Sequence, residues 1–392
     1  MPYPEYLIIG AGTIGCSLAY QLSVQGKSVT VLEDRDTAFG AAGASGSLVG
    51  RWGYDEGPVG DFVGASIDYA PQLVEELQED VGWKTETDYL QVISNDVEMK
   101  IAEILLKKYV YGKVRASIVD ITEARKYEPA VSAELPGAIL IPDMNYFDPI
   151  KLAFAFRRRA AEHGAVFINE AGVTELIMRG GTCVGARTRK GDHYAGAVVL
   201  CAGSWSAGIA KTAGLELPVK PFRSEMMVTE PTGPLINGEI GSCTLKAVWY
   251  FPELITDERV LKYKLSFAIE QTDTGTCIIH GSREDAGFNV IPSPSVLELL
   301  LKTGYRIVPA LRDLRIIRSF CGLRPVSEDN LPYMGAAPSV PGLFLCTGHG
   351  ASGITMSAVT GKAMAEYLIC GKARITDISA FDPSRIGKAG GM

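Results

Sequence analysis

The sequence predicts an α/β protein that combines an open, mostly parallel unit with a second, antiparallel α+β unit. Three observations lead to this prediction. A strand, a glycine-rich turn, a helix and a second strand follow one another in residues 6–34, and another strand runs into a glycine turn and a helix at residues 197–206. From residue 218 to residue 283, strand-like runs dominate instead. Material of the first kind recurs near the carboxyl end, so we expect the first unit to be assembled from discontinuous segments.

The first stretch carries the residues expected to hold a dinucleotide. An apolar run, LII, precedes Gly10, Gly12 and Gly15 in the spacing G-x-G-x-x-G, a helical pattern runs from about Thr13 to Gln25, and a second apolar run ends at Glu33. In this fingerprint the glycines allow a tight turn, close approach of the backbone to a pyrophosphate and close helix–strand packing, and the acid accepts hydrogen bonds from a ribose. The helix N-terminus adds free N–H groups for the phosphates. A structural glycine turn in another α/β unit is the alternative.

Composition and charge argue against several other classes of protein. The 392 residues are 47% hydrophobic and 21% charged, with a net charge of −7 and scattered basic residues, which argues against nucleic-acid binding. The longest apolar stretches have strand length, so no membrane span is predicted. Eight cysteines occur without a C-x-x-C pair, and the four histidines have no metal-ligand spacing. We therefore expect a reduced, cytoplasmic protein with no disulfide framework and no metal site of its own.

Small residues crowd the segment from Gly40 to Gly53, shortly after the fingerprint. Such residues let a backbone lie against a flat ligand, so we expect cofactor contacts from Ala44, Ser45 and Gly46, with a flexible loop as the alternative. Arg51 is the only cation of this loop. Two interpretations of Arg51 stay open: it stabilises negative charge on a reduced cofactor, or it lies on the surface.

Periodicity predicts the elements that follow, and Asp148 is expected to cap the helix that starts at Pro149. Predicted helices in the first half lie within residues 55–82, 96–109, 121–127 and 149–163. Predicted strands there are 89–93, 138–141, 165–168, 173–178, 183–188 and 197–201. Val173 is expected beside an adenine. The turn after Cys201 is a second place where a strand end meets a helix start, as in an open α/β crevice.

The second half changes character and then returns to the first type. Strands are expected at 223–229, 243–251, 261–269, 276–281 and 315–323, and a helix at 290–308. A strand at 342–346 leads through a glycine-rich loop into a helix at 355–369, which is another helix N-terminus suited to an anion or a ring. We expect the dinucleotide-binding domain to comprise residues 1–85, 146–217 and 321–384, the substrate domain 218–320 and most of 86–145, and a disordered tail 385–392.

Five motifs together resemble the family of FAD-dependent amino-acid and amine oxidoreductases, which includes D-amino-acid dehydrogenase, glycine oxidase and sarcosine oxidase. They are GAGTIG at 10–15, GAAGASGS at 40–47, CAGSWS at 201–206, CGLRP at 321–325 and CTGHGASGITMS at 346–357. The resemblance covers nearly the whole chain and implies a Rossmann-type FAD-binding domain and an antiparallel substrate domain with the flavin ring between them. Within the family, the chain resembles in particular the β-type subunits of opine oxidases, proline or hydroxyproline dehydrogenases, and hydrogen cyanide synthase.

The resemblance also implies the cofactor contacts. The ADP part is expected at Gly10, Gly12, Ile14, Gly15, Glu33 and Asp34, with added contacts from Ala44, Ser45 and Val173. The pyrophosphate-to-flavin end is expected along Gly348, His349, Gly350, Gly353, Ile354 and Thr355. Further cofactor contacts are expected from Thr13, Gly46, Ala202, Gly203, Trp205 and Gly322. His349 is a candidate to shape the flavin environment, and a packed histidine in a glycine turn is the alternative. Cys321 lies near the covalent flavin position of some sarcosine-oxidase-like members, but GLRP follows the non-covalent members, which favours non-covalent FAD and a buried cysteine.

Arg324 is the expected substrate anchor. The matching arginine in glycine-oxidase-like members grips the substrate carboxylate, and a planar guanidinium suits a bidentate carboxylate pair; a structural ion pair is the alternative. Tyr250, Tyr263 and Phe267 are candidates for lining the substrate pocket. The stretch 250–263 looks longer than the family hairpin, and we expect it to be an active-site lid or a partner contact.

The resemblance therefore implies oxidation of an amine next to a carboxylate. The Cα hydrogen leaves as hydride to flavin N5, and water hydrolyses the resulting imine. We prefer a proline-, hydroxyproline-, sarcosine- or opine-type substrate, and expect the chain to be the catalytic β-type subunit of a multi-subunit dehydrogenase whose α- or γ-type partners supply FMN or an iron–sulfur cluster. A single-chain glycine or D-amino-acid oxidase and a flavin-bearing structural or electron-relay subunit are alternatives. A nicotinamide-dependent dehydrogenase agrees with the glycine triplet, but not with CGLRP or the GHGASGI loop.

Overall fold

Two large β-sheets and the helices packed on them organise the protein. The structure, a computed structural model, describes residues 3–51, 57–111, 114–244, 247–248 and 251–387. Tyr250, predicted to line the substrate pocket, lies outside the described residues. Among the residues described, no helix combines the length and the apolar character needed to cross a bilayer.

The first large sheet is built from three separate stretches of the chain. Its strands are β1 (Tyr6–Ile9), β2 (Val29–Leu32), β7 (Val166–Ile168), β11 (Ala197–Leu200), β17 (Tyr333–Ala336) and β18 (Leu343–Thr347). They lie in the order β17-β18-β11-β1-β2-β7, and all neighbours are parallel except the pair β17–β18. This parallel sheet confirms the predicted α/β unit and its assembly from discontinuous segments.

The second large sheet is mainly antiparallel, as predicted. Its strands are β3 (Leu48–Val49), β4 (Lys84–Ile93), β5 (Ser117–Asp120), β6 (Gly137–Tyr146), β12 (Val219–Thr229), β13 (Glu239–Ser242), β14 (Ala268–Gln271), β15 (Cys277–His280) and β16 (Ile316–Ser327). Their order is β16-β12-β15-β14-β13-β4-β6-β3, with β5 beside β6 and a parallel pair between β4 and β13. Strand β16 runs across the domain boundary predicted at residue 321. A separate three-stranded sheet holds β8 (Val173–Arg179), β9 (Thr182–Thr188) and β10 (Gly191–Tyr194).

Helices pack on both large sheets, and the antiparallel sheet carries them on both of its faces. They are α1 (Thr13–Val24), α2 (Gly57–Leu77), α3 (Asp96–Tyr111), α4 (Ile121–Tyr127), α5 (Pro149–Glu162), α6 (Ser206–Lys211), α7 (Glu258–Lys262), α8 (Pro294–Ile307) and α9 (Gly353–Cys370). Helices α1, α2, α5 and α9 share one buried core with the parallel sheet, and the three-stranded sheet packs on its other face. Helix α8 buries Leu300 against Ile240 and Ile269 of the antiparallel sheet. Because residues alternate along a strand, the neighbours of these isoleucines face the opposite side, away from α8.

Capping side chains account for one correct prediction, the start of helix α5, and for one wrong prediction, a strand that is replaced by helix α7. The Asp148 carboxylate accepts hydrogen bonds from the N–H groups of Ile150 and Lys151 at 2.9 Å, which confirms the cap of α5. The strand predicted at 261–269 is present only from residue 268 onwards, and the described residues within 243–251 form no strand. Asp257 caps a helix instead by accepting from the N–H of Arg259, so α7 occupies 258–262 and strand β14 begins only at residue 268.

The carboxyl-terminal segment is still packed against the protein at Arg385, where a disordered tail was predicted to begin. Arg385, assigned above to a disordered tail, donates from Nε to the Asp329 carboxylate at 2.6 Å and from Nη2 to the Leu331 carbonyl at 2.8 Å. Its guanidinium also lies 4.0 Å from the ring centroid of Tyr333. These contacts tie Arg385 to the start of strand β17 and to the residues just before it.

Candidate active site

A large cavity lies where the carboxyl ends of the parallel strands meet the antiparallel sheet. Gly10 after β1, Cys201 after β11 and Gly348 after β18 line it from one side, and Arg324 and Glu239 line it from the other. Its volume is about 1600 Å³. Ligand pockets commonly measure roughly 300–1,000 Å³, so this cavity has room for more than one ligand. An open α/β sheet binds ligands at the carboxyl ends of its strands, which is where this cavity begins.

The three fingerprint glycines have different surroundings. A Cβ on Gly10 would lie 2.7 Å from the Cys201 carbonyl oxygen, and Gly10 has a φ of +107°. A Cβ on Gly15 would lie 2.0 Å from the Gly10 carbonyl oxygen. Gly12 has no atom within 4 Å of its Cβ position and lines the cavity. Gly10 and Gly15 therefore permit close packing of the turn, whereas Gly12 leaves open space in front of α1.

Two helix N-termini open into this cavity without a capping side chain. Gly12 precedes α1 and Ser352 precedes α9; Gly12 has no side chain, the Ser352 side chain does not cap α9, and neither first turn contains an acid. Thr13 Oγ1 is buried and has no hydrogen-bond partner within the described part of the chain. Free N–H groups, the positive end of the helix dipole and an unpaired hydroxyl are what a pyrophosphate needs.

The opposite end of this crevice suits an adenosine. Glu33, directly after β2, lines the cavity together with Asp34 and Val173. The Glu33 carboxylate accepts from the N–H of Ala11 at 2.7 Å and from the N–H of Arg35 at 3.0 Å, which fixes its position. A carboxylate has about four lone-pair positions, so two ribose hydroxyls can still donate to it. The residues present therefore fit an adenine dinucleotide such as FAD.

The cavity face of the antiparallel sheet carries cations. Arg324 of β16 lies opposite Phe222 of β12 and donates from Nη1 to the Ser282 carbonyl at 3.1 Å. Lys264 and Arg283 line the same part of the cavity. Burial lowers the pKa of Lys264, and the charge of Arg283 lowers it further. This concentration of positive charge gives an anionic group such as a carboxylate a favourable position.

Two histidines of the cavity wall are neutral near pH 7. His349 is 4% exposed, with Nε2 at 3.4 Å from the Thr360 hydroxyl, and burial lowers its pKa to about 4. His280 lies nearer to Arg324; burial, followed by the charges of Arg324 and Arg283, lowers its pKa to about 3. Both imidazoles can exchange hydrogen bonds, but neither supplies positive charge at neutral pH.

Most of the predicted site residues come together in the cavity wall. The wall contains Gly10, Gly12, Thr13, Ile14, Glu33, Asp34, Ala44, Ser45, Gly46, Val173, Ala202, Gly203, Trp205, Arg324, Gly348, His349, Gly350, Gly353, Ile354 and Thr355. The structure thus groups segments that are more than 300 residues apart in the sequence.

Three predicted functional side chains lie elsewhere. Arg51 pairs with Asp68 at 2.9 Å on the surface, which corresponds to the surface interpretation rather than the cofactor one. Phe267 is 1% exposed and packs in the core on the α8 side of the sheet, because it alternates with the cavity-facing Ala268. Tyr263 follows α7 and packs at the edge of the same core. None of the described residues 251–263 lines the cavity.

Two predicted cofactor glycines act through packing instead. Gly15 lets the first turn of α1 pack closely against the Gly10 carbonyl group. A Cβ on Gly322 would lie 2.7 Å from Ala44 Cβ, so this glycine lets the Ala44 loop approach β16. Neither glycine lines the cavity. Cys321, next to Gly322, does not line it either.

Sequence reasoning missed His280, Arg283, Lys264 and Glu239, all of which line the cavity. The group HGSR at 280–283, which spans the end of the predicted strand 276–281, was a usable signal, because functional side chains cluster where strands end. The sequence signal for Glu239 was weaker, because a single acid in a short strand does not reveal which face of a sheet it will occupy.

Fold and site together define a dinucleotide-dependent oxidoreductase whose substrate side is a separate antiparallel sheet. A family model described as FAD dependent oxidoreductase matches residues 5–367. The chain belongs to this family, and FAD is its cofactor. The predicted family, fold class and enzyme class, an FAD-dependent oxidoreductase of amino acids and amines, are confirmed.

Individual relatives are similar over nearly their full length. The hydrogen cyanide synthase subunit HcnC of Pseudomonas aeruginosa is 28% identical, over 97% of this chain and 96% of that protein. Glycine oxidase of the same organism is 26% identical, over 96% of this chain and 98% of that protein. The crystal structure of L-proline dehydrogenase from P. horikoshii superposes with a TM-score of 0.84 at 22% identity, covering 99% of both chains. At that identity the superposition establishes the fold alone.

Proposed function

We propose that the chain oxidises a small amine that carries a carboxylate, of the proline, hydroxyproline, sarcosine or opine type, to an imine that water then hydrolyses. The observation that carries this proposal is Arg324 in the wall of the same cavity that fits FAD. When bound, FAD supplies the hydride acceptor for the Cα hydrogen. The names of the relatives support an amine substrate, since one is a glycine oxidase.

Arg324 has the setting of a carboxylate anchor. Its hydrogen bond to the Ser282 carbonyl fixes the orientation of the guanidinium. A carboxylate bound there gains charge-assisted hydrogen bonds of about 1.5–3 kcal/mol each. Lys264 and Arg283 add positive charge nearby. The role of this group is to hold the substrate so that its Cα–H is oriented for transfer, which is the positioning on which such catalysis depends.

We further propose that the chain is the catalytic β-type subunit of a multi-subunit dehydrogenase. HcnC is a subunit by name. An apolar patch at the cavity wall supports a partner: Trp205, which lines the cavity, and Phe288 are 44% and 54% exposed, and their rings are 5.8 Å apart. Adjoining exposed apolar side chains favour a protein interface. An FMN or an iron–sulfur cluster would then be supplied at or by an α- or γ-type partner.

Non-covalent FAD and a cytoplasmic location complete the proposal. Burial, with the charge of Glu225, raises the pKa of the Cys321 thiol to about 11. A thiol that stays protonated, outside the cavity wall, is poorly placed to attack a flavin. All eight cysteines are free thiols, which suits a reducing compartment.

A single-chain glycine oxidase is the second candidate, because the glycine oxidase relative is covered over 98% of its length. Anaerobic titration of the purified yellow protein tests both candidates. Glycine, sarcosine, D- and L-proline, 4-hydroxyproline and N-(carboxymethyl) amino acids are added while the flavin absorbance band is followed. We expect one of them to bleach the band, and readmitted oxygen to restore it quickly only for an oxidase. If dithionite bleaches the band but no amine does, the proposal of amine oxidation fails and an electron-relay role gains support.

A further inference from the structure

Two buried glutamates stand side by side on the cavity face of the antiparallel sheet. Glu239 of β13 and Glu270 of β14 are direct cross-strand partners, and each is only 4% exposed. Such partners have Cβ atoms about 4.5–5.5 Å apart, so their carboxyl groups can approach each other. The next residues, Ile240 and Ile269, belong to the core under α8, which places both acids on the other face. Glu239 lines the cavity directly.

The polar atoms around this pair are only partly satisfied. Ser47 donates to Glu270 from its N–H at 3.1 Å and from its hydroxyl at 3.2 Å. No described residue donates a hydrogen bond to the Glu239 carboxyl. Tyr146 Oη and His280 Nε2 are buried without a hydrogen-bond partner among the described residues. Buried polar groups are normally hydrogen-bonded, so a set left open beside a cavity indicates a ligand group that supplies the missing partner.

The pair and His280 converge beside Gly46, a residue expected to contact the cofactor. A Cβ on Gly46 would lie 3.2 Å from His280 Nε2 and 3.7 Å from Glu270 Oε1. His280 lies diagonally from Glu270, since Ala268 is its direct partner. On its other side, His280 is close enough to Arg324 for that charge to lower its pKa. The cavity therefore has a cationic part at Arg324, Arg283 and Lys264 and an acidic part at the glutamates, with a neutral histidine between them.

Burial disfavours two negative charges at this position. Desolvation raises the pKa of both carboxyl groups, that of Glu270 to about 7, and the charge of Glu270 raises the pKa of Glu239 further. The other titratable groups acting there are Tyr89 and Tyr146, whose own pKa values are raised, together with Glu128, Asp148 and Lys84. Lys84 favours the charged form of Glu270, and Asp148 opposes it.

We propose that the Glu239–Glu270 pair binds the ammonium group of the substrate and accepts one of its protons before the Cα–H bond is cleaved. This inference rests on the proposed function and narrows its substrate class. In the step, an N–H bond of the ammonium breaks and an O–H bond forms on one carboxylate; the substrate nitrogen loses its positive charge and the pair loses its negative one. The freed lone pair on nitrogen then assists loss of the Cα hydrogen. The substrate must therefore carry at least one N–H proton and a carboxylate that reaches towards Arg324, which excludes quaternary amines.

The kinetic test uses the amine that the titration identifies and the variants Glu239→Gln and Glu270→Gln. Flavin reduction is followed anaerobically between pH 6 and pH 10. We expect the reduction rate of Glu239→Gln to fall about 100-fold or more at pH 7, the usual contribution of a general base. It should recover about tenfold per pH unit towards the pKa of the amine, where substrate arrives already deprotonated. Glu239→Asp should restore part of the rate. A merely structural role would give a loss that does not depend on pH.

Glu98→Gln is the matched control. Glu98 is also a buried glutamate, at 8% exposure, but it accepts from the Ser94 N–H and the Thr244 hydroxyl, both at 2.7 Å, and does not line the cavity. Its variant should keep the wild-type rate and pH profile. Flavin content and unfolding temperature of each variant show whether the isosteric changes preserve the fold.

A binding test does not depend on turnover. Dithionite-reduced holoprotein binds the amine without oxidising it, and calorimetry compares this amine with tetrahydro-2-furoate, a carboxylate that lacks nitrogen. Glu239→Gln should bind the amine at least tenfold more weakly and tetrahydro-2-furoate within twofold of wild type. Equal losses for both ligands, or none for either, would overturn the inference. If the wild-type flavin is reduced by an amine and both Gln variants keep its rate and pH profile, the inference alone fails; if no amine reduces the wild type, the proposed function falls with it.

Discussion

The Gly12→Ala substitution should weaken FAD binding while leaving the stability of the apoprotein unchanged. Gly12 has φ −70° and ψ 175°, which alanine adopts without strain, and no atom lies within 4 Å of the new methyl position. Alanine is a poorer helix cap than glycine, but it restricts the unfolded chain by about 0.4–1 kcal/mol, and the two effects largely cancel. We therefore expect the apoprotein to unfold within about 2 °C of wild type.

The same methyl group occupies the space that α1 leaves for a pyrophosphate. Displacing the phosphates from the first turn removes charge-assisted hydrogen bonds of about 1.5–3 kcal/mol each. Loss of two of them raises the Kd for FAD by about 100-fold or more. Titration of apoprotein with FAD, followed by quenching of flavin fluorescence, measures this Kd, and flavin content after gel filtration gives an independent value.

Gly15→Ala is the contrasting variant, because its Cβ would lie 2.0 Å from the Gly10 carbonyl oxygen. Overpacking of this kind costs about 1–3 kcal/mol or more, so this variant should lower the unfolding temperature of the apoprotein as well as its FAD content. If Gly12→Ala instead binds FAD within about threefold of wild type, the pyrophosphate does not lie in front of α1, and the assignment of this end of the cavity is refuted.

Three further changes have defined outcomes. Arg324→Lys should raise the Kd of the reducing amine about tenfold or more at unchanged flavin content, because an ammonium cannot make the planar pair; rapid-mixing reduction measures it. Arg51→Gln should leave kcat within twofold and shift the free energy of unfolding by less than about 1 kcal/mol, since its ion pair with Asp68 is exposed. Glu270 has a folded-state pKa of about 7 against 4.5 in the unfolded chain, so the folded protein holds a proton that the unfolded chain loses. Wild-type stability should therefore fall as the pH rises from 5 to 8, and the unfolding temperature of Glu270→Gln should fall less over that interval.

The cofactor-binding half of the site could be predicted because short, continuous stretches of sequence determine its backbone positions. The order of strand, glycines, helix and Glu33 within residues 6–34 dictates which backbone groups face the cavity, and the structure places Gly12 and Glu33 in its wall. The loop before α9 follows the same logic, since a glycine-rich turn leads directly into a helix N-terminus. Short-range steric rules determine these positions, and they do not depend on what lies elsewhere in the chain.

The substrate half was less predictable because it depends on strand pairing across long sequence distances. Phe267 and Ala268 are adjacent, yet one lies in the core and the other in the cavity wall, and nothing in the local pattern selects between them. The predicted strand 261–269 failed for a related reason: an apolar run that suits a strand was preceded by Asp257, whose capping bond starts a helix instead. Arg324 was assigned through family resemblance, and its alternation along β16 became meaningful only once β12 was known to be its neighbour.

The same contrast between the two halves of the site indicates which residues determine the substrate preference of the chain. The turn and helix N-termini that fit FAD are prescribed by the cofactor, which relatives with different substrates share. Cavity-facing positions on β12 to β16 carry no such constraint, provided that the alternate positions still fill the core under α8. A buried acid pair there is costly unless a ligand compensates for it, because removing a carboxylate from water disfavours its charge. Glu239 and Glu270 are therefore difficult to explain as scaffold alone, and the amine contact proposed for them would constrain the substrate together with the carboxylate contact proposed for Arg324.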